Sequence, residues 1–578
     1  MDNMTPSDTQ PQGLFSPARF SPLVALVTVI VVAVAFSFAF TPLRTSQDEW
    51  WHLKAGKWIT EQGRLPVNDI FTYTGENIPW HNHEWLSQVI FYKIFEHGED
   101  TAIGGLRALI TVKSLIVAAT FALLAFAAFR RSRHWPAALL MTLLAAEISR
   151  RTIFPRPPIF SYIFFAATIL ALSEWKARRL NFRWLWALPF MTVLWANLHG
   201  MCLLGVIATA AFAGGELIEN LLEWRRDREN GRIITRPLLL LGALTAAMAL
   251  ATCANPAGYH IWTLGGKFAN DPILKQVIAE MLPPPSPFRK MIAAPGGMPE
   301  WTFVPGFATF WIVAMALVVL AAANRLRMKH AADYLLCGFF LYQALLHWRL
   351  LPLFAIAAAG PMAWLIAQLL GRLRDKTQSA ASGALLCATA ALGFVFVFAI
   401  GEPPPQTFFR RNLELLRGEA TNDVDYPRPL MDFIIRTNFP DHMFSEINYC
   451  GYPMWRLSPE HHKMFTDNRF DLFGSRFYVE EATVVNGIEK SDAIINRGWN
   501  DILDQHGVNF IVISHGAPVN AKLRASGKWK LVYDYVAPRA PRTSGFNVWL
   551  RDDPKFADVA KRARENYETD YPGAPPLE

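Results

Sequence analysis

The chain has 578 residues, of which 52% are hydrophobic and 18% charged, and a formal net charge of +8. A soluble basic protein would suggest a nucleic-acid partner, but the basic residues stand in short clusters between long apolar runs and no nucleic-acid-binding motif is present. Five scattered cysteines, Cys202, Cys253, Cys337, Cys387 and Cys450, have neither the spacing of a zinc site nor that of a disulfide framework.

Residues 1–21 form a polar, Pro-rich tail that ends near Arg19. The apolar run at 22–42 lacks a small-residue cleavage site and reads as a retained span. Further stretches of spanning character lie at 103–129, 135–150, 158–175, 184–199, 201–222, 236–254, 301–323, 331–347, 350–370 and 382–401. The predicted fold is therefore a multi-span α-helical membrane protein of about 11 transmembrane helices. With the N-terminus in the cytoplasm, the clusters at Arg130–Arg133, Lys176–Arg183, Arg225–Arg236, Arg325–Lys329 and Arg372–Lys376 all fall on the cytoplasmic side, as positive-inside topology requires. Polar residues within the apolar runs then gather at the outer ends, which argues against a path open to both sides.

The first outer loop, 43–102, is the most chemically loaded part of the chain. Ser46-Gln47-Asp48-Glu49 fits a capping box, with Glu49 at the third helical position and a helix ended by Gly63 and Pro66. The same Asp48 and Glu49 can serve as a general base for a hydroxyl, and a helix N-terminus attracts phosphate. His52 lies one helical turn after Asp48. His81-Asn82-His83-Glu84 follows, where Asn82 can cap the next helix. No cofactor is demanded by the sequence; His81, His83 and Glu84 are the residues on which a divalent metal could sit.

Arg156 and Arg349 stand at outer span ends, where they can snorkel or bind a phosphate bidentately. Asn197 and His199 interrupt two apolar runs; a tight turn explains the Asn better than the His. The outer loop 255–300 is long and Pro-rich, as a cover over a site would be. After Pro403-Pro404-Pro405 the chain changes character. Strands are predicted at 443–447, 463–466, 508–514, 529–536 and 545–550, and helices near 428–437, 474–484, 494–506 and 518–526. The expected domains are thus a tail 1–21, a membrane domain 22–401 and an extracytoplasmic α/β domain 402–578. Thr466-Asp467-Asn468-Arg469 at a strand end is explained by turn chemistry.

Several residues together carry a resemblance. They are Asp48-Glu49 within D-E-W-W-H-L-x-x-G, the later Trp80–Leu86, Arg156-Pro157 and the N-L-H-G at 197–200. With the layout of spans, these resemble the C-class glycosyltransferases, in particular the bacterial protein mannosyltransferase and aminoarabinose-transferase-like group. The resemblance implies inverting transfer of a sugar from a polyprenyl-phosphate-linked donor, with Asp48 as base and Glu49 second to it. The substrate-binding candidates are His52, His83, Glu84, Arg156, Asn197, His199 and Arg349, and the expected location is the plasma (inner) membrane with the site and C-terminal domain facing out of the cytoplasm. The partners expected are that donor, membrane lipid and a lipid, glycan or protein acceptor, with no nucleic acid. The rival readings are a flippase or transporter of a lipid-linked or polymer precursor, and a non-catalytic membrane scaffold with an outer binding domain.

Overall fold

The computed structural model describes residues 21–43, 47–99, 104–274, 278–284, 305–322, 328–400, 407–419, 426–490, 496–536, 545–573 and 577. The N-terminal tail, Ser46, most of the second half of the 255–300 loop and the triple proline at 403–405 lie outside them. The chain divides into two compact units, one of residues 1–41, 110–254 and 279–413, the other of residues 42–109, 255–278 and 414–578.

The first unit is helical. Pro22–Ala39, Gly105–Ser132, Pro158–Lys176, Gly200–Arg226, Trp348–Leu370 and Asp375–Ala399 are long and apolar enough to cross a membrane, as a multi-pass membrane protein requires. The other predicted stretches also hold helices: Trp135–Ser149, Ala187–Leu198, Arg236–Ala251, Gly306–Val319 and Ala331–Leu346. Four of these, at 12 to 16 residues, are about 18–24 Å long, shorter than the ~30 Å hydrocarbon core, whereas the helix holding Gly306–Val319 runs over Pro305–Ala322, 18 residues.

Trp135–Ser149 and Leu351–Leu370 form the centre of this unit. The first buries nearly every side chain, and 78% of the second's apolar window is buried. The cause is visible in composition. Ala137, Ala138, Ala145 and Ala146 lie on one helix, and Ala355, Ala357, Ala358, Ala359 and Ala363 on the other. Between helices in lipid there is no hydrophobic driving force, so close approach by small side chains supplies the dispersion contact instead.

The second unit combines the first loop, residues 42–109, with residues 255–278 and the C-terminal segment. Its sheet has the order β1-β2-β4-β3, with β1 Met443–Ser445, β2 Phe510–Ser514, β3 Trp529–Val536 and β4 Gly545–Arg551. β1 runs parallel to β2, and the other pairings are antiparallel. β2 is a continuous apolar run buried over Phe510–Ile513; Ile511 and Ile513, with Trp549 of β4, join Trp499, Leu503 and Phe444 in one core cluster. The strand predicted at 463–466 is reduced to one bridge, Thr72 to Met464, because its pairing partner is the first loop and not the sheet. That loop contributes two packed helices, Asp48–Gln62 and Trp85–Glu99. A Cβ on Gly56 would come within 2.1 Å of the Gln88 carbonyl oxygen, so only glycine permits this approach. Gly63, at φ 63°, closes the first of these helices in the left-handed conformation.

Candidate active site

Ser46, the predicted N-cap, lies outside the described residues, and the helix register differs from the prediction. The helix starts at Asp48 with Gln47 as N-cap, so Glu49 sits in the second helical position, where it is buried. The tertiary contact of Gln47 decides this register: its side-chain oxygen accepts the Tyr452 N–H at 3.0 Å, and a Cβ on Gly451 would stand 2.0 Å from its carbonyl oxygen.

Asp48 itself is held by a residue that sequence reasoning left as turn chemistry. The Asn468 amide donates to Asp48 Oδ1. Cys450 Sγ lies 4.0 Å from Asn468 Oδ1, which orients the amide so that its nitrogen faces the carboxylate. Asn468 is clamped on both sides. Asp467 accepts from the Arg469 backbone at 2.8 Å and from its side chain at 2.6 Å, and Arg469 also reaches Asp69 at 2.6 Å. Arg469 is 1% exposed and lies 4.6 Å over the Trp80 ring. Burial alone would lower the Arg469 guanidinium, but Asp467 and Asp69 more than offset it and hold it above its ordinary range. Burial pushes Asp467 up, against the opposing pull of Arg469.

The other first-loop candidates are spread around this point. His52 is buried, its ring tilted 33° against that of Trp51, with its Nδ1 3.5 Å from the Gln88 amide nitrogen. Asn82 does not cap the second helix; its amide donates to Gln88 Oε1 at 2.6 Å. His83 Nε2 is 3.7 Å from Glu84 Oε1. Burial lowers the His83 imidazole and Asp471 pulls it back up. His81 stacks on His260 at 5.3 Å. Among the described residues no group of three His, Cys, Asp or Glu side chains could hold a metal ion, so His81, His83 and Glu84 do not form a ligand set. Two further carboxylates were not singled out by sequence. Glu481, raised to about 7 by burial, accepts the Ile447 N–H at 2.9 Å. Glu446, also raised by burial, accepts the Ser514 N–H at 2.5 Å.

In the helical unit, Arg156 and Arg349 come together on one acid. Their guanidinium nitrogens are 3.6 and 3.9 Å from Glu280. Arg156 also lies 4.6 Å over Phe154. Glu280 sits in the described part of the 255–300 loop, and no sequence signal distinguished it. Asn197 and His199 are taken up by packing. Asn197 donates to Val193 O at 2.9 Å and Ala254 O at 2.7 Å. Trp195 Nε1 donates to Ser161 Oγ, whose hydroxyl proton is then left for His199 Nδ1, both at 2.7 Å.

No family model matches the chain, and no curated protein matches its sequence. Solved structures do. Archaeal oligosaccharyltransferase AglB from Archaeoglobus fulgidus, in complex with an inhibitory peptide and a dolichol-phosphate, aligns over 94% of this chain and 77% of its own, at 13% identity and a TM-score of 0.55. The apo form of the Archaeoglobus fulgidus oligosaccharyltransferase aligns over 86% and 70%, at 13% identity and a TM-score of 0.50. ArnT from Cupriavidus metallidurans bound to undecaprenyl phosphate aligns over 91% and 97% at 15% identity; its TM-score of 0.44 is too low to bear on the fold. At such identities the likeness is one of architecture. The structural neighbours are C-class glycosyltransferases, and this chain has the fold of the archaeal oligosaccharyltransferase.

Proposed function

We propose that the chain is an inverting glycosyltransferase that moves a sugar from a polyprenyl-phosphate-linked donor to an acceptor outside the cytoplasm. The observation that carries this reading is the Asp48 carboxylate: it stands first in a helix after the first apolar helix, with one oxygen engaged by Asn468. A base needs a fixed orientation and a lone pair for the incoming proton. Asn468 supplies the orientation through Oδ1, and the Asp48 carboxylate is assigned to the acceptor hydroxyl. Support for the donor class comes from the AglB structure, which holds a dolichol-phosphate and an inhibitory peptide.

The acceptor O–H gives its proton to Asp48 as its oxygen bonds to the anomeric carbon, and the bond from that carbon to the phosphate oxygen breaks. The polyprenyl phosphate leaves with the bonding pair; within the helical unit, Arg156 and Arg349, whose present anionic partner is Glu280, are the residues assigned to binding an anion. Glu49 is the second carboxylate assigned to the site, and His83 and Glu84 are assigned to substrate contact. His52, Asn197 and His199 act through the helices they hold. No step is routed through a metal. The protein is placed in the plasma (inner) membrane with Asp48 and residues 402–578 outside the cytoplasm, the latter orienting the acceptor.

The test is transfer of radiolabelled sugar from a panel of polyprenyl-phosphate sugars into membrane extracts. Wild type is expected to transfer label from one donor, and Asp48→Asn to transfer none at equal expression; a fully active Asp48→Asn protein overturns the base assignment. Asn468→Ala is expected to lower kcat about a hundredfold with KM for the donor unchanged. A rise in KM alone would remove Asn468 from its positioning role.

A further inference from the structure

One end of the helical unit pairs its cations closely. Arg130 and Arg179 share Glu174, Lys176 meets Glu216 and Glu219, and Arg131 meets Asp333. Among the described residues Arg178 and Arg236 make no ion pair, and both line the same open cavity of about 480 Å³. The rest of its lining is Arg179, which is paired with Glu174, Asn181, whose side-chain oxygen accepts the Arg183 N–H, and apolar walls of Trp175 and Phe182, packed edge to face at 5.6 Å, with Leu180 and Leu240.

Two details add to the positive character of this cavity. Arg236 opens the Arg236–Ala251 helix, whose N-cap Thr235 gives no side-chain hydrogen bond to the first turn. The Thr235 hydroxyl instead accepts from Asn220 at 3.0 Å. The first-turn N–H groups therefore lack the acceptor a Thr N-cap normally supplies, and the positive end of the helix dipole is left beside two guanidinium groups. Arg178 holds a turn at φ 58°, a conformation in which glycine is unstrained.

The position of the cavity separates it from the Arg156–Glu280–Arg349 group. Arg156 lies just before the Pro158–Lys176 helix and Arg178 just after it. Its 19 residues span about 28 Å, close to the thickness of the hydrocarbon core. The two arginine groups thus lie at opposite membrane faces. Trp175 and the two leucines stand where acyl chains meet headgroups.

We propose that this cavity binds the phosphate of an anionic phospholipid from the leaflet opposite the Arg156 end. Arg178 and Arg236 take the phosphate oxygens, and the acyl chains run along Trp175 and Leu240. Both arginines being without a carboxylate, there is nothing to receive the cationic half of a zwitterionic headgroup, so a net-negative lipid is selected over phosphatidylcholine.

The experiment is native mass spectrometry of the purified full-length protein with added phosphatidylglycerol, phosphatidylcholine or inorganic phosphate. Wild type is expected to retain one phosphatidylglycerol at least tenfold better than phosphatidylcholine. The Arg178→Gln/Arg236→Gln protein is expected to lose that preference, and Arg183→Gln, at the same end but outside the cavity, to keep it. Should the double variant elute as aggregate, each single variant is expected to lower retention severalfold. Equal retention of the two lipids by wild type, unchanged retention in the double or single variants, or displacement of the lipid by millimolar inorganic phosphate would each overturn the proposal. The outcome is independent of sugar transfer.

Discussion

Two groups of arginine and acid, one in each unit, use the same chemistry for opposite ends. Around Arg469 two carboxylates approach to 2.6 Å and every partner is fully buried. Around Glu280 two arginines stand at 3.6 and 3.9 Å, and all three side chains are 20–31% exposed. The first group has surrendered its hydration and can only be broken at high cost. The second retains water and loose geometry, so an incoming anion can replace the carboxylate. Partner distance and burial, not residue type, separate this structural knot from the proposed anion site.

The largest effect should come from cutting the knot. Arg469→Met leaves Asp69 and Asp467 buried without their cation, and a loss of about 3–5 kcal/mol is expected. Thermal melting of the purified protein would read it as a strongly lowered transition; a melting temperature within a degree of wild type would show that the knot is not structural. Because Asn468 lies between Asp467 and Arg469, transfer should fall with it.

Glu481 sharpens the comparison, since it is a buried acid with a backbone donor and no cation among the described residues. Its folded value of about 7 lies above the ordinary 4.5. Between those values the folded state holds a proton that the unfolded chain has released, so stability falls as pH rises through this window, by about 3 kcal/mol in total. Melting at pH 5 and pH 8 should show the fall in wild type and a much smaller one in Glu481→Gln; equal slopes would place the titration elsewhere.

The smallest effect, and the one of opposite sign, is expected at Glu280. Neutralising the acid in the knot should harm the protein, whereas Glu280→Gln should release Arg156 and Arg349 and lower KM for the lipid-linked donor about threefold to tenfold, with melting unchanged. A raised KM would mean that Glu280 holds the arginines in place and does not compete with the donor.

Much of the architecture was legible because it is local. A helix lies in each apolar stretch, and Gly63 ends the Asp48 helix, since backbone hydrogen bonding in lipid and a left-handed glycine act within a few residues. The site was less legible. Asn468 is 420 residues from Asp48, and Arg469 is 400 from Asp69. The one available signal was an arginine between Asp467 and Asp471 in an aromatic neighbourhood, and Asn468 looked like a turn residue because its own neighbours explain it.

The amino-acid sequence by itself determined where the chain is apolar enough to enter a membrane and which carboxylates follow the first apolar helix, because hydropathy and periodicity are properties of contiguous residues. Only the tertiary structure decided that the first loop folds with the C-terminal segment, that Gln47 stands at the N-cap position of the Asp48 helix, and that Arg156 and Arg349 share Glu280. Each of these turns on residues far apart in the chain meeting at a few ångströms, and the energy of such contacts depends on burial and distance that no local pattern contains.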